Sequence, residues 1–224
     1  VFKGDFTKLE TQNGDDFLFV IVPLDKNKTI LVRDYSMENY RKQTSEEIKI
    51  TAGAYYTIRN FSEDEIKMWF VLHSHSGNLG NWAEKAKTGD QAILWGPRSM
   101  FSPSKKFSHL ILIADETGIP AMKVISENNK NFSKCTTFYE VIDESCQIPT
   151  KGENNILENW IYREGDEPGE GEKLLDSLKV YELPKNDFYI FGAGEARQMM
   201  KIRKFFKNEG VAKEQMHITG YWKK

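Results

Sequence analysis

The change of pattern near Pro103 is the feature of the sequence that most limits the possible fold. Before it, short runs of β-favouring residues are separated by turn signals, which is typical of antiparallel sheets. After it, apolar strand-like runs alternate with helical segments, which indicates a mostly parallel sheet. We therefore predict a small antiparallel β-barrel over residues 1–102, followed by a mostly parallel α/β domain over residues 103–224.

The strands of the first domain are predicted from runs of β-branched, aromatic and aliphatic residues. These runs cover residues 17–22, 55–59, 65–73 and 91–95. Gly96 and Pro97 are expected to end the last of them, because this pair breaks regular structure. A short helix is predicted over residues 81–87, ending at Gly89.

In the second domain the first strand is the clearest. Residues 110–114 form a continuous apolar run, as expected for a strand buried on both faces, and Pro120 suits the first turn of the helix that follows. Further strands are predicted at residues 136–142, 156–162 and 188–191. A turn over Gly192–Glu195 is expected to lead into a helix whose buried face carries Met199, Ile202, Phe205 and Phe206.

Composition excludes several classes of protein. The 31 Lys and Arg residues balance 33 Asp and Glu residues, which argues against a nucleic-acid binder. No apolar run approaches the ~20 residues of a membrane-spanning helix, and no secretory signal opens the sequence. The two cysteines form no disulfide framework, so we expect a reducing, cytoplasmic location. No pattern of metal ligands is visible.

Two segments of the first domain are candidates for binding a flavin. Tyr56 could pack against the flavin ring system, and Thr57 could donate a hydrogen bond near its N5 atom. The segment Gly77–Gly80, just before the predicted helix, would let backbone N–H groups approach a phosphate. Taken singly, such residues are more often ordinary strand or core residues, and the same holds for His73 and Trp82.

The second domain has two candidate strand-to-helix turns, at residues 115–120 and 192–196. Ligands of open parallel sheets bind beyond the carboxyl ends of the strands, where both turns are expected. Gly192 and Gly194 supply only the first part of a dinucleotide-binding glycine pattern, because Arg197 stands at the third glycine position. By itself this fragment favours a plain tight turn. The residues Tyr221 to Lys224 could line a pocket for a flat or anionic ligand, or form a disordered basic segment.

Taken together and in order, these segments resemble the siderophore-interacting proteins, FAD-dependent ferric-siderophore reductases related to ferredoxin reductases. The segments that carry the resemblance are Tyr56–Arg59, Phe70–His73, Gly77, Trp82–Ala83, Gly89–Asp90, Gly96–Pro97, Ala114–Ala121, Gly194–Ala196 and Tyr221–Trp222. The resemblance implies a flavin-binding barrel followed by a nucleotide-binding domain. It also implies that Val1 falls inside the first barrel strands, because members of the family begin some tens of residues earlier.

The resemblance further implies a set of cofactor-binding residues. They are Tyr56, Thr57, Ile58, Arg59, His73, Gly77, Leu79, Gly80, Trp82, Thr117, Gly192, Gly194, Glu195 and Trp222. Among them, Tyr56 and Thr57 would lie nearest the reacting ring. Lys223 and Lys224 are the candidates for binding an anionic ferric chelate, with Lys26 or Lys28 as alternatives.

One residue departs from the family pattern. The family motif is similar to Arg-x-Tyr-Thr, and Ala54 stands in place of the arginine. Ala54 and Tyr56 should face the same side of their strand and Arg59 the other side, so Arg59 is not an obvious replacement. The resemblance therefore predicts FAD binding with one phosphate contact missing.

The function implied is that of a cytoplasmic, monomeric reductase that passes electrons from NADH or NADPH through FAD to the Fe³⁺ of a siderophore. Ferredoxin is an alternative electron donor. Two other functions stay open: a general flavin or ferredoxin-type reductase of another carrier, and a non-catalytic protein that binds a siderophore or a flavin. Ala54 is the feature that keeps the second of these open.

Overall fold

A computed structural model describes residues 1–11, 14–25, 51–72, 77–103, 107–128, 132–150 and 155–224. The chain divides into two compact units. The first comprises Val1–Thr11 and Asp16–Arg98, and the second comprises Gln12–Asp15 and Ser99–Lys224. Within the part described, no helix has both the length and the apolar character needed to cross a membrane.

The described part of the first unit contains short antiparallel strands and one helix. The elements are β1 (Phe2–Lys3), β2 (Phe17–Pro23), β3 (Thr51–Thr57), β4 (Asn60–Phe61), β5 (Glu65–Lys67), α1 (Asn78–Lys85) and β6 (Ile93–Arg98). They form two three-stranded antiparallel sheets, with the orders β1-β5-β4 and β3-β2-β6. The central strand β2 is buried along its whole length.

The two faces of β2 lie in two different apolar clusters. Leu18, Val20 and Val22 point to one side and pack in a cluster that also holds Leu79 of α1. We call this the β2–α1 cluster. Phe19 and the other alternate residues of β2 point to the opposite side, as the two-residue period of a strand requires.

Four predictions for the first unit are wrong in their boundaries. The strand expected over residues 55–59 is β3, which begins at Thr51 and ends at Thr57. The strand expected over residues 65–73 ends at Lys67, because the next side chains pack instead of extending a ladder: Met68 is buried in the β2–α1 cluster and Trp69 lies under the guanidinium of Arg59. Strand β6 continues through Gly96 and Pro97 to Arg98. Helix α1 begins at Asn78, three residues earlier than expected.

The second unit is built on a parallel sheet. Its strands are β7 (His109–Ala114), β8 (Lys134–Val141), β9 (Ile156–Tyr162), β10 (Phe188–Glu195) and β11 (Met216–Trp222), in the order β11-β10-β7-β8-β9. The helices are α2 (Ile119–Asn128), α3 (Lys173–Lys179) and α4 (Ala196–Asn208), with short 3₁₀ turns at Glu144–Cys146 and Lys213–Gln215. The predicted fold class, antiparallel sheets followed by a parallel α/β sheet, is confirmed.

Helix α4 packs on the sheet through the face that its sequence predicts. Met199, Ile202 and Phe206 are buried in the core, and Phe205 is partly buried beside them. The helix ends before Gly210, whose positive φ of 83° is a backbone conformation that glycine adopts easily. Strands β7 and β10 are buried at every residue, which places them at the centre of this core.

A charged residue, Lys123, is buried on the inner side of α2. Its side chain is 1% exposed and forms an ion pair with Glu158 of β9. Its ammonium group also donates to the Thr150 hydroxyl at 2.7 Å, and lies 5.1 Å and 5.4 Å from the ring centroids of Tyr139 and Trp160. The charge of Lys123 is therefore matched by one carboxylate, one hydroxyl and two aromatic rings.

Candidate functional site

Strand β3 carries Tyr56 and Thr57, the two residues predicted to lie nearest a flavin. Tyr56 is paired with Leu18 and packs against the β2–α1 cluster. The ring of Phe70 covers part of it, with a centroid distance of 4.1 Å, and burial raises the pKa of the Tyr56 phenol. A flavin that packs on Tyr56 must therefore use ring surface that Phe70 does not cover.

The residues on either side of Tyr56 have different surroundings. Ala54 packs against the same cluster as Tyr56, so the departure from the family motif lies on the face where a cofactor contact is predicted. The guanidinium of Arg59 lies 4.9 Å from the ring centroid of Trp69, a cation–π contact. Thr57 and Ile58 are both buried.

The start of α1 has the features of an anion-binding helix terminus. Gly77 is the N-cap residue, and among the described residues no side chain caps the helix there. The first turn contains no acidic residue, and a side chain added at Gly77 would meet nothing within 4 Å. Helix N–H groups and the positive end of the helix dipole favour a phosphate. These residues therefore fit the pyrophosphate of FAD.

Other predicted residues near α1 have structural contacts of their own. Leu79 and Gly80 are buried in the first turn. Trp82 is half-buried and stacks on Phe2, with a centroid distance of 6.3 Å and an interplanar angle of 6°. His73 lies outside the described residues, as do Lys26 and Lys28.

In the second unit, the carboxylate of Asp115 connects the ends of three strands. Asp115 follows β7 directly and is buried. Its Oδ1 accepts hydrogen bonds from the N–H and the hydroxyl of Thr117, at 2.8 Å and 2.6 Å. Its Oδ2 accepts from the N–H of Glu195 and from Nε1–H of Trp222, both at 2.8 Å. Burial raises the pKa of Asp115, and the hydrogen bonds from Thr117 and Trp222 oppose this rise.

The predicted turn at Gly192–Glu195 is wrong, because β10 continues to Glu195. Both glycines lie where the sheet is closely packed, Gly194 more tightly than Gly192. A side chain at Gly192 would approach Ile218 at 3.3 Å, and one at Gly194 would lie 2.8 Å from Oδ2 of Asp115. Their contact with a nucleotide stays a prediction.

The first turn of α4 already holds an anion from the chain itself. The Glu195 carboxylate accepts the N–H groups of Arg197 and Gln198, at 2.6 Å and 2.9 Å. Glu195 is buried. Gly169, in the loop before α3, lies so close that a side chain at position 169 would collide with the side chain of Glu195. This helix terminus is therefore closed to a phosphate in the conformation described.

A second group of buried polar residues lies near the carboxyl ends of the strands, and the sequence-based prediction missed it. Both oxygens of Glu140 accept from Nε2 of Gln198, at 3.1 Å and 3.2 Å, and burial raises the pKa of Glu140. Arg163 is buried beside it and donates to Glu116 at 2.7 Å. The signal was present, since Glu140 is the one charged residue in the strand predicted over residues 136–142.

The carboxylates of Asp115, Glu140 and Glu195, near the carboxyl end of the sheet, accept hydrogen bonds from the protein, and Glu116 pairs with Arg163. Across the residues that the structure describes, no group of three or more His, Cys, Asp or Glu side chains could hold a metal ion. These carboxylates can accept hydrogen bonds from the hydroxyl or amide groups of an organic ligand.

The two lysines predicted to contact a ferric chelate follow the end of β11. Lys224 forms an exposed ion pair with Glu170, with an N–O distance of 2.7 Å. Lys223 is exposed. An anionic ligand would therefore compete with Glu170 for Lys224.

Two protein-family models together match nearly the whole chain. Residues 1–101 match the model of the siderophore-interacting FAD-binding domain. Residues 107–224 match the model of the siderophore-interacting protein family.

Several curated proteins are similar in sequence. Ferric vibriobactin reductase ViuB of Vibrio cholerae is 27% identical over 176 residues, which cover 75% of this chain and 64% of the relative. The NADPH-dependent ferric-chelate reductase of Escherichia coli is 22% identical over 162 residues, covering 70% of this chain and 61% of the relative. The chain thus spans less than two thirds of the length of these relatives.

Solved structures show the same fold. A siderophore utilization protein from T. fusca superposes with a TM-score of 0.81 at 24% identity, over 98% of this chain and 83% of that one. A ferredoxin reductase of carbazole 1,9a-dioxygenase superposes with a TM-score of 0.64 at 16% identity, over 92% of this chain and 59% of that one. The predicted ferredoxin reductase-like fold is confirmed.

Proposed function

The chain belongs to the siderophore-interacting protein family, and from this we propose that it is a flavin-dependent reductase of ferric siderophores. The match of both halves of the chain, in family order, carries the proposal. The names of the Vibrio cholerae and Escherichia coli relatives support a ferric chelate as substrate. In the proposed reaction one NADH or NADPH and two Fe³⁺ give NAD(P)⁺, one proton and two Fe²⁺.

The chemistry requires a cofactor that accepts two electrons at once and gives them up singly, which is what FAD supplies when bound. The first unit would orient it through Tyr56 and Thr57. The start of α1 would bind its pyrophosphate. Because Ala54 replaces the motif arginine, we expect the pyrophosphate to be held by neutral N–H donors without the arginine contact. We therefore expect a reduced affinity for FAD.

The electron donor would bind near the carboxyl ends of β7 and β10, where Thr117 and Glu195 lie. Glu195 already fills the start of α4, so that helix cannot strengthen the binding of a pyrophosphate. We therefore expect weak binding of NADH or NADPH, and we keep ferredoxin as an alternative donor.

The substrate would be attracted by Lys223 and Lys224. Siderophores hold Fe³⁺ through hard oxygen donors, and Fe²⁺ is a softer ion of lower charge, so reduction weakens the chelate and releases iron. The pair between Lys224 and Glu170 is exposed, and such surface pairs contribute ~0–1 kcal/mol, so an anionic chelate can displace Glu170 at small cost.

The compartment is proposed from the two cysteines. Cys135 and Cys146 are free thiols. Burial raises the pKa of Cys135 to about 12, so this thiol is unreactive at neutral pH. Free thiols are usual in a reducing compartment, and we propose a cytoplasmic location and a monomeric state.

The test is the absorbance spectrum of the purified protein mixed with FAD and then, without oxygen, with NADH or NADPH. The proposal predicts a bound flavin that either nucleotide bleaches. Thr57→Val, which keeps the side-chain shape and removes the hydroxyl, should bind FAD but be bleached more slowly. A protein that takes up no FAD contradicts the proposal. If reduced ferredoxin bleaches the bound flavin and neither nucleotide does, the nicotinamide step is excluded and the rest of the proposal is kept.

A non-catalytic role is the second candidate, and Ala54 favours it. Loss of a cation from the flavin motif would suit a protein that captures a ferric chelate or a flavin without turnover. Quenching of tryptophan fluorescence by a ferric siderophore, with no nucleotide oxidised and no Fe²⁺ formed, would identify that role.

A further inference from the structure

We propose that Asp115 is a positioning residue of the substrate site: its buried carboxylate anchors the end of β11 and thereby fixes Lys223 and Lys224. The inference rests on the proposed function, because it takes these two lysines as the contacts for the anionic chelate. It adds a residue that neither the sequence patterns nor the comparisons assign to any role.

The anchor spans three adjacent strands. Asp115 follows β7, which is the neighbour of β10, and β10 is the neighbour of β11. Its Oδ2 accepts the N–H of Glu195 and the Nε1–H of Trp222, both at 2.8 Å. Glu195 and Trp222 are themselves partners, the last pair of the β10–β11 ladder. One oxygen atom thus holds both members of the pair at which the two strands end.

An irregularity in β11 directs Trp222 to this oxygen. Gly194 pairs with Gly220, but the next residue, Glu195, pairs with Trp222, so Tyr221 is an extra residue in the ladder. Such bulges re-aim the side chains that follow them. The Tyr221 hydroxyl donates to Oδ2 of Asp15 at 3.2 Å.

Asp15 is a second buried carboxylate and provides a built-in comparison. Its Oδ1 accepts from the hydroxyl of Ser99 and from the N–H groups of Met100 and Phe101, each at 2.7 Å. Its Oδ2 is therefore left to accept from Tyr221. The two consecutive aromatic residues at the end of β11 each meet a different buried carboxylate.

The position of the lysines follows from this anchor. Strand β11 ends at Trp222, and Lys223 and Lys224 come next. If Trp222 loses this hydrogen bond, the starting point of these two residues is held by fewer contacts. The cost should fall on binding of the anionic chelate, since positioned charges bind better than mobile ones.

Asparagine substitutions distinguish the Asp115–Trp222 hydrogen bond from the Asp15–Tyr221 hydrogen bond. An indole N–H can only donate, whereas a phenol can donate and accept. In Asp115→Asn the side-chain carbonyl oxygen still accepts from Thr117, so the amide N–H groups face two donors, Glu195 N–H and Trp222 Nε1–H. The hydrogen bond that anchors Trp222 is therefore lost. In Asp15→Asn the amide faces the Tyr221 hydroxyl, which can accept, and that anchor is kept.

The experiment measures solvent exchange of the Trp222 indole proton by NMR and, in parallel, steady-state reduction of a ferric siderophore. Asp115→Asn should speed exchange of this proton and raise KM for the ferric siderophore by about tenfold, the effect of losing one charge-assisted hydrogen bond. Its kcat and its KM for an uncharged quinone acceptor should change less than about twofold. Asp15→Asn should match the parent protein in the exchange rate, in kcat and in both KM values.

The outcomes keep the two proposals separate. Fast indole exchange with an unchanged KM for ferric siderophore would overturn the positioning role, and so would slow exchange in Asp115→Asn. A parent protein that reduces no ferric siderophore would overturn the proposed function, while the exchange measurement would still report on the anchor. If Asp115→Asn does not fold, Trp222→Phe removes the same donor without placing an amide in the turn. Measured at saturating FAD, because Trp222 is also predicted to contact the cofactor, it should raise the same KM.

Discussion

Substituting alanine for Gly194 should reveal whether this glycine serves packing or phosphate binding. Its Cβ position lies 2.8 Å from Oδ2 and 2.9 Å from Cγ of Asp115, and 3.2 Å from Cε of Met199. The methionine end can move, but the Asp115 carboxylate is held by Thr117, Glu195 and Trp222. The added methyl group must therefore displace a carboxylate that cannot yield without losing hydrogen bonds.

The size of the effect follows from two contributions. Overpacking a well-filled core costs about 1–3 kcal/mol, and a lost hydrogen bond to a charged group about 1.5–3 kcal/mol. Because the two overlap, we expect Gly194→Ala to lower the free energy of unfolding by about 3 kcal/mol, or Tm by about 6–12 °C. Gly192→Ala is the matched control in the same strand. Its new methyl would meet the side chain of Ile218 at 3.3 Å and Cβ of Ile113 at an ordinary contact distance of 3.7 Å, so we expect a cost of about 1 kcal/mol or less.

Thermal unfolding followed by circular dichroism measures both variants, and nucleotide binding is measured on the folded proteins. If these glycines were instead a phosphate loop, both variants would lose nucleotide affinity and keep the parent Tm. Equal Tm values for Gly194→Ala and the parent protein would refute the packing argument.

Three further predictions concern charges. Lys123→Met should cost about 3 kcal/mol in urea unfolding because it leaves Glu158 without its ammonium partner, and adding Glu158→Gln should recover part of the loss; an unchanged urea midpoint in the single variant would contradict this. Burial raises the pKa of Glu140, so stability from this group is lost as pH rises from about 4.3, the ordinary glutamate value, through the folded pKa. Glu140→Gln should therefore become more stable relative to the parent between pH 4 and pH 7, and a pH-independent difference would count against it. Glu170→Gln should change stability by less than about 0.5 kcal/mol but tighten binding of an anionic ferric siderophore in low salt, by releasing Lys224; equal affinity in low salt would show that their ion pair does not compete with substrate.

The fold was predictable where local pattern and tertiary packing agree. The spacing of Met199, Ile202 and Phe206 gives one helical face, and that face packs on the sheet. The run Leu110–Ala114 is apolar throughout, as a central parallel strand must be. The prediction over residues 65–73 was wrong because aromatic residues favour strands on average, whereas here Trp69 and Phe70 pack against Arg59 and Tyr56.

The candidate site was less predictable, because its contacts join distant parts of the sequence. Gly192–Glu195 looked like a turn, yet it stays in the sheet because Asp115, 80 residues away from Glu195, binds the end of the strand. The family pattern identified the segment that contains Asp115 but not the partner of its carboxylate. A polar residue directly after a fully apolar strand was the available signal, and it could not specify Trp222 as the donor.

The most direct test of the central claim is a count of ferrous iron formed per nucleotide oxidised. The FAD-loaded protein is mixed without oxygen with limiting NADH or NADPH, excess ferric siderophore and a chromogenic Fe²⁺ chelator. The proposed reaction predicts two Fe²⁺ for each nucleotide oxidised, with no iron reduced when the protein is omitted. Binding of the ferric siderophore with no nucleotide oxidised and no Fe²⁺ formed would contradict it.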